Sequence, residues 1–179
     1  MMRQSVPQLD DIELIGLQAH SDARGDLTEV FRDEWVGERP VQWNLVHSRP
    51  NTLRGVHVHV RHADYILPIA GTMHVGLCDL RPESAGFKAG RMIELSSSNR
   101  MLLKIPPGIA HGFCFLRKMT FAYGVTSYWA DADELGCRWD DPDLGLRWPV
   151  ETPLLSPRDA SAPPLVMLLE QLRTLATRC

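Results

Sequence analysis

The chain lacks most of the features that would take it out of the soluble globular class. Its 179 residues hold four cysteines, Cys78, Cys114, Cys137 and Cys179, widely spaced and without a Cys-x-x-Cys pair. That argues against a disulfide framework and for free thiols in a reducing, cytoplasmic setting. No apolar run approaches the ~20 residues of a membrane span. Met1 to Asp11 is polar and carries two acids, so no secretory leader is expected there. A basic excess is missing too: the formal net charge is −3, which excludes a general binder of nucleic acid or anionic membranes. There is no internal repeat, low-complexity tract or long linker. One domain over 1–179 is expected, with a core at about 22–150 and a C-terminal extension and helix at about 151–179.

What is present is a hydrophobic content of 44% arranged mostly in short runs. Asp26 to Phe31 and Leu53 to Val60 alternate. Ile66 to Ile69 meets a turn at Gly71, and Met73 to Leu80 leads into a Pro/Glu/Ser loop. Met101 to Ile105 stops at Pro106-Pro107-Gly108, and Phe113 to Leu116 and Thr120 to Tyr128 follow. Many short strands at near-regular spacing point to an all-β sandwich or barrel. After Pro163-Pro164, the apolar residues Val166, Leu168, Leu169, Leu172 and Leu175 suit one amphipathic helix packed on that barrel.

Three of the seven histidines, His57, His59 and His62, fall close together. Residues two apart in a strand share a face, so His57 and His59 are expected to point the same way and His62 to lie on the following turn. Imidazoles stacked in a core without a task are costly. The wider spacing is that of the two cupin motifs: His57, His59, Asp64 and Gly71 fit the first, and Pro106, Gly108 and His111 the second. Together they imply an all-β cupin jelly-roll barrel. In metal-binding cupins the matching positions, here His57, His59, Asp64 and His111, meet at one divalent ion, and imidazole plus carboxylate suits several transition metals.

A longer pattern overlays this one. Asp22-Ala23-Arg24-Gly25 with Glu29, Gln42-Trp43-Asn44 with Ser48, Leu53-Arg54-Gly55-Val56-His57, Asp79-Leu80-Arg81, Ile105 to Phe113, Tyr123, Trp139-Asp140-Asp141-Pro142 and Ser156-Pro157-Arg158-Asp159 occur in that order. The series resembles the dTDP-4-dehydrorhamnose 3,5-epimerase family from about Asp22 to Leu165. The resemblance implies an epimerase of a nucleotide-linked 4-keto-6-deoxysugar that works without a cofactor. Its C4 ketone acidifies the C3 and C5 protons, and inversion needs a base on one face and an acid on the other. By resemblance His57 is the base, Asp159 orients it and Tyr123 is the acid. Arg24 and Arg54 hold the diphosphate, guanidinium forks being suited to phosphate oxygens. Gln42, Asn44, Glu29, Glu134, Arg158 and His111 complete the nucleotide and sugar contacts. The resemblance also implies a homodimer, with Ile12 to Leu17 as a candidate exchanged strand.

The departures fall in the site. Where the family has a lysine near the developing enolate, this chain has Asp64, which would repel that charge. The family glutamine two residues after the base is His59, and the lysine after the tyrosine is Gly124. His59 and Asp64 are the changes that complete the metal motif. Two enzyme readings therefore stand: a metal-free epimerase, and a metal-dependent cupin isomerase or oxygenase using His57, His59, Asp64 and His111. They conflict at His57, since a nitrogen bound to a metal is not a free base. A non-catalytic sugar-binding cupin is the third reading.

Overall fold

A computed structural model of the chain describes residues 2–128 and 133–177; Cys179 lies outside them. The strands, in chain order, are β1 (Arg3–Val6), β2 (Leu9–Gly16), β3 (Ala19–Asp22), β4 (Gly25–Thr28), β5 (Gln42–Ser48), β6 (Thr52–Val58), β7 (Asp64–Ala70), β8 (Thr72–Asp79), β9 (Gly90–Ser96), β10 (Met101–Ile105), β11 (Ile109–Phe115), β12 (Met119–Val125) and β13 (Leu135–Gly136). Two helices follow, α1 (Pro157–Ala160) and α2 (Leu165–Ala176). One sheet runs β1-β2-β10-β7-β12-β5 and the other β13-β6-β11-β8-β9, while β3 and β4 form a separate hairpin. The named strands pair antiparallel, giving the expected jelly roll as two facing sheets.

Period-two alternation decides what lies between the sheets. Ile66 from β7, Phe121 from β12, Val75 and Leu77 from β8 and Phe113 and Phe115 from β11 meet in one buried core. The intervening residues face outward and are covered separately. Tyr65 and Leu67 pack under Phe31 and Val36. Val58, Cys78 and Ala110 pack under the C-terminal segment. At Gly76 of β8 a Cβ would come 2.6 Å from the ring of Trp148, so that outer layer lies directly on the strand. Gly71, at the β7–β8 turn, has φ of +102°, a conformation that favours glycine.

Three expectations need correction. The core begins before residue 22, because β1 and β2 are part of the six-stranded sheet. Ile12 to Leu17 falls largely in β2, which pairs with β10 of its own chain. The Asp10-Asp11 pair hides the alternation of this strand. β9 lies within the stretch expected as a loop. Finally, α2 buries Leu165, Leu168 and Leu169 with Leu172 beside them, whereas Val166 is 59% exposed. The spacing i, i+3, i+4, i+7 starts from Leu165 and leaves Val166 off the face. The helix covers the outside of the five-stranded sheet.

Candidate active site

Between the sheets opens a cavity of about 620 Å³, within the usual range of ligand pockets. His57 and Arg54 come from β6 and His111 from β11 on one wall; Gln42 and Asn44 from β5, Asp64 from β7 and Tyr123 from β12 come from the other. Register holds each wall in line. His57 pairs with His111 across β6–β11, and Tyr123 lies between Ile66 and Asn44.

His57 Nε2 lies 2.7 Å from Asp159 Oδ1. Because the carboxylate accepts, Nε2 carries the proton and Nδ1 keeps its lone pair. Asp159 arrives by local design. Leu154 hydrogen-bonds to Leu53 and Asn51 beside β6, holding the returning chain. Ser156 then caps α1 by accepting from the Asp159 N–H at 3.1 Å, with Pro157 in the first turn. Burial pushes the Asp159 carboxyl up, but hydrogen bonds from His57, Ser156 and Gly55 outweigh it and hold it below the ordinary carboxylate range. Tyr123 is pushed the other way, raised by burial and by the carboxyls of Asp64 and Glu134 against a smaller effect of Arg54. It therefore stays protonated and able to donate.

The polar rim is partly committed and partly free. Gln42 donates to Asn44 Oδ1 at 2.9 Å, while the buried Asn44 Nδ2 and Thr52 Oγ1 find no partner. Arg54 gives its Nε to Ser48 Oγ at 3.0 Å. Arg158 pairs with Glu134 at 2.5 Å, and both line the cavity.

Not every expected residue is in this place. Arg24 pairs with Asp22, and Glu29 with Arg32, on and after the β3–β4 hairpin, and neither lines the cavity. The metal set is also rearranged. His57 is turned to Asp159, and the group whose ligand atoms lie within 4.8 Å of one another is His59, His62 and Asp64. His111 Nε2 is 3.5 Å from Asp64. β6 ends at Val58, so the shared-face rule does not extend to His59, which turns to donate from Nδ1 to the Asp133 carbonyl. Asp133 and Thr52 were not assigned to the site from sequence. Only their polarity beside the motifs could have marked them.

The chain is similar to known proteins in sequence and in fold. The family model described as dTDP-4-dehydrorhamnose 3,5-epimerase matches residues 7–166. A dTDP-4-dehydrorhamnose 3,5-epimerase of Neisseria gonorrhoeae is 36% identical over 84% of this chain, which spans about half (49%) of that relative's length. One of Sinorhizobium fredii is 31% identical over 88% of this chain and 87% of its own. The crystal structure of dTDP-6-deoxy-D-glucose-3,5-epimerase from Legionella pneumophila, in complex with dTDP-4-keto-L-rhamnose, superposes with a TM-score of 0.88 at 30% identity, covering 96% of each chain. These likenesses favour the epimerase reading over the metal-dependent cupin isomerase or oxygenase. The chain belongs to the dTDP-4-dehydrorhamnose 3,5-epimerase family, isomerases of deoxysugar biosynthesis.

Proposed function

We propose that this protein is a cytoplasmic epimerase of a dTDP-linked 4-keto-6-deoxysugar, inverting C3, C5 or both by proton removal and return. The observation that carries the reading is the His57–Asp159 pair at 2.7 Å on one wall with Tyr123 on the opposite wall. A sugar ring between the sheets meets a base on one face and an acid on the other, as inversion requires. Nδ1 of His57 takes the proton, and the Asp159 carboxylate stabilises the imidazolium through Nε2. The Tyr123 hydroxyl returns a proton to the far face. Asn44 Nδ2 and Thr52 Oγ1, buried without partners, gain hydrogen bonds from the sugar or nucleotide. Arg54 binds the diphosphate, with Arg158 and Glu134 beside it.

The active form is a homodimer in this reading. The β3–β4 hairpin stands apart from both sheets with Leu27 64% and Val30 42% exposed. Arg24 and Glu29 serve a site only if a second copy offers its cavity to them. Light scattering that finds a monomer at micromolar concentration would remove this part.

The test of the chemistry is solvent exchange. In D2O the protein should incorporate deuterium at C3 or C5 of a dTDP-4-keto-6-deoxysugar, and His57→Ala should abolish it. Unchanged exchange in His57→Ala rules out the assigned base.

A further inference from the structure

Deeper in the same cavity, behind the base, three more imidazoles surround a carboxylate. His59, His62, Asp64 and His111 are buried. Each ring is fixed by its Nδ1. His59 donates to the Asp133 carbonyl at 2.9 Å, His62 to Asp133 Oδ2 at 2.8 Å and His111 to the Ile109 carbonyl at 3.0 Å. The tautomers follow: with Nδ1 protonated, all three Nε2 atoms carry lone pairs. These lone pairs converge on the carboxyl group of Asp64. His59 Nε2 lies 3.8 Å from Oδ2, His62 Nε2 3.8 Å from Oδ1 and His111 Nε2 3.5 Å from Oδ2.

Among the described residues none of these four groups has a hydrogen bond on its inward side. The separations exceed the ~2.7–3.2 Å of a real N–H···O contact, so a proton shared between one ring and Asp64 does not account for them. A water molecule offers two protons to four acceptors. A single cation satisfies the three groups that lie within 4.8 Å of one another, His59, His62 and Asp64, with His111 Nε2 beside Asp64 as a fourth donor. Around a Zn-type ion with bonds of ~2.0–2.1 Å, neighbouring tetrahedral ligands sit ~3.3–3.5 Å apart, close to the spacing observed. Rings held through Nδ1 by a carbonyl or carboxylate are the usual outer support of metal-binding imidazoles.

We propose that His59, His62, Asp64 and His111 form a binding site for one divalent transition-metal ion, distinct from the base His57. His57 stays out of it because its Nε2 is committed to Asp159. Asp133, which also accepts from the Val60 and Arg61 N–H groups at 2.8 and 3.3 Å, positions two of the ligands. The ion's role rests on the epimerase reading, although its binding does not. The arginines of the cavity, Arg49, Arg54 and Arg158, are exposed, and the buried end has no Lys or Arg. The positive charge of an ion there stabilises, through the low-dielectric cavity, the negative charge that develops on the sugar's C4 oxygen when His57 removes a proton.

The experiment is titration of untagged, chelator-stripped protein with Co(II), read by visible d–d absorption, followed by Zn(II) competition. Saturation at one ion per chain is expected, with Zn(II) displacing the signal and raising the melting temperature. His62→Ala and Asp64→Asn should lose the absorption, and Asp133→Ala should weaken binding by about 10–100-fold. His57→Asn should bind as the wild type does. Circular dichroism confirms that each variant is folded, and the melting shift with Zn(II) in the wild type is a test that needs no variant. Absence of both Co(II) absorption and the Zn(II) shift in the wild type overturns the site. Loss of binding in His57→Asn with retention in His62→Ala overturns the ligand set. If the ion binds as described but its removal leaves deuterium exchange unchanged, the site stands and its charge-stabilising role falls. Absence of exchange with and without the ion, the binding intact, counts against the epimerase reading alone.

Discussion

Asp159→Asn isolates what the buried carboxylate contributes to the base. The change preserves size and leaves the Ser156 cap intact, because that bond comes from the Asp159 backbone N–H. It removes the charge 2.7 Å from His57 Nε2. A hydrogen bond between ionised partners contributes roughly 1.5–3 kcal/mol, and its charged form exists only once His57 has taken the substrate proton. The loss therefore falls on the transition state rather than on binding. At about 1.36 kcal/mol per tenfold, a loss near 3 kcal/mol is about 150-fold in kcat/KM. A second effect adds to it: the asparagine amide can donate to Nε2, which moves the ring proton to Nδ1 and blocks the base. The expected fall is about 10²–10³-fold, mostly in kcat, measured as deuterium entry into the keto-sugar in D2O. A fall of less than about fivefold, or one confined to KM, would refute the reasoning. Stability supplies an independent reading. The carboxyl of Asp159 is held below its ordinary value, so its stabilisation is complete above the unfolded carboxylate range and is lost as pH falls through the lowered folded value. Wild type and Asp159→Asn should differ in melting temperature near neutrality and converge in acid.

The other predictions address the opposite wall, the mouth and the scaffold. Tyr123→Phe should slow inversion at C5 while deuterium exchange at C3 persists, because removal needs only the base; equal loss of both, followed by NMR, would deny Tyr123 the role of acid. Arg54→Ala should raise KM about 10–100-fold, in proportion to roughly 1.5–3 kcal/mol of charge-assisted bonding to the diphosphate, and an unchanged KM would remove Arg54 from that task. Asp79→Ala should lower stability by about 2–3 kcal/mol, below the roughly 3–5 kcal/mol for breaking a fully buried pair, since Arg81 is partly solvated and also meets Asp11. Burial pushes the Asp79 carboxyl up, yet bonds from Arg81 and Ser84 hold it down on balance, so the deficit in urea melts should be full near neutrality and shrink as pH falls through the lowered value. Gly76→Val should cost about 1–3 kcal/mol by overpacking, because its Cβ would lie 2.6 Å from Trp148, and a neutral result would show that the tryptophan layer moves freely.

How far the sequence reveals this molecule depends on the range over which its rules act. Apolar runs are local, so the strands β7, β8, β11 and β12 were legible from the sequence, but which of their residues face inward was not. The tight turn at Gly71 was legible too. The partner of the base was not, because 102 residues separate His57 from Asp159; only resemblance to a family joined them. Arg24 and Glu29 came from the same resemblance, yet the single chain keeps them outside the cavity.

The His57-x-His59 pair shows the limit most clearly. Two residues apart in a strand means one face, and one face suggested one shared ion. But β6 stops at Val58, and Asp133, 71 residues beyond His62, captures the rings that follow. The end of one strand thus separates two chemistries that the motif merges. His57 remains in the ladder, tied to a carboxylate and keeping one nitrogen free to take a proton. His59 leaves the ladder and joins His62, Asp64 and His111 in a group of converging acceptors. A lysine at position 64 would have supplied positive charge to this end of the cavity and required no ion. With aspartate there, the charge must come from a bound cation or the enolate goes without it. Asp64→Lys therefore separates the two possibilities: it should abolish Co(II) binding, loss of exchange activity with it supports a role for the ion, and activity that survives or rises counts for a site that works without one.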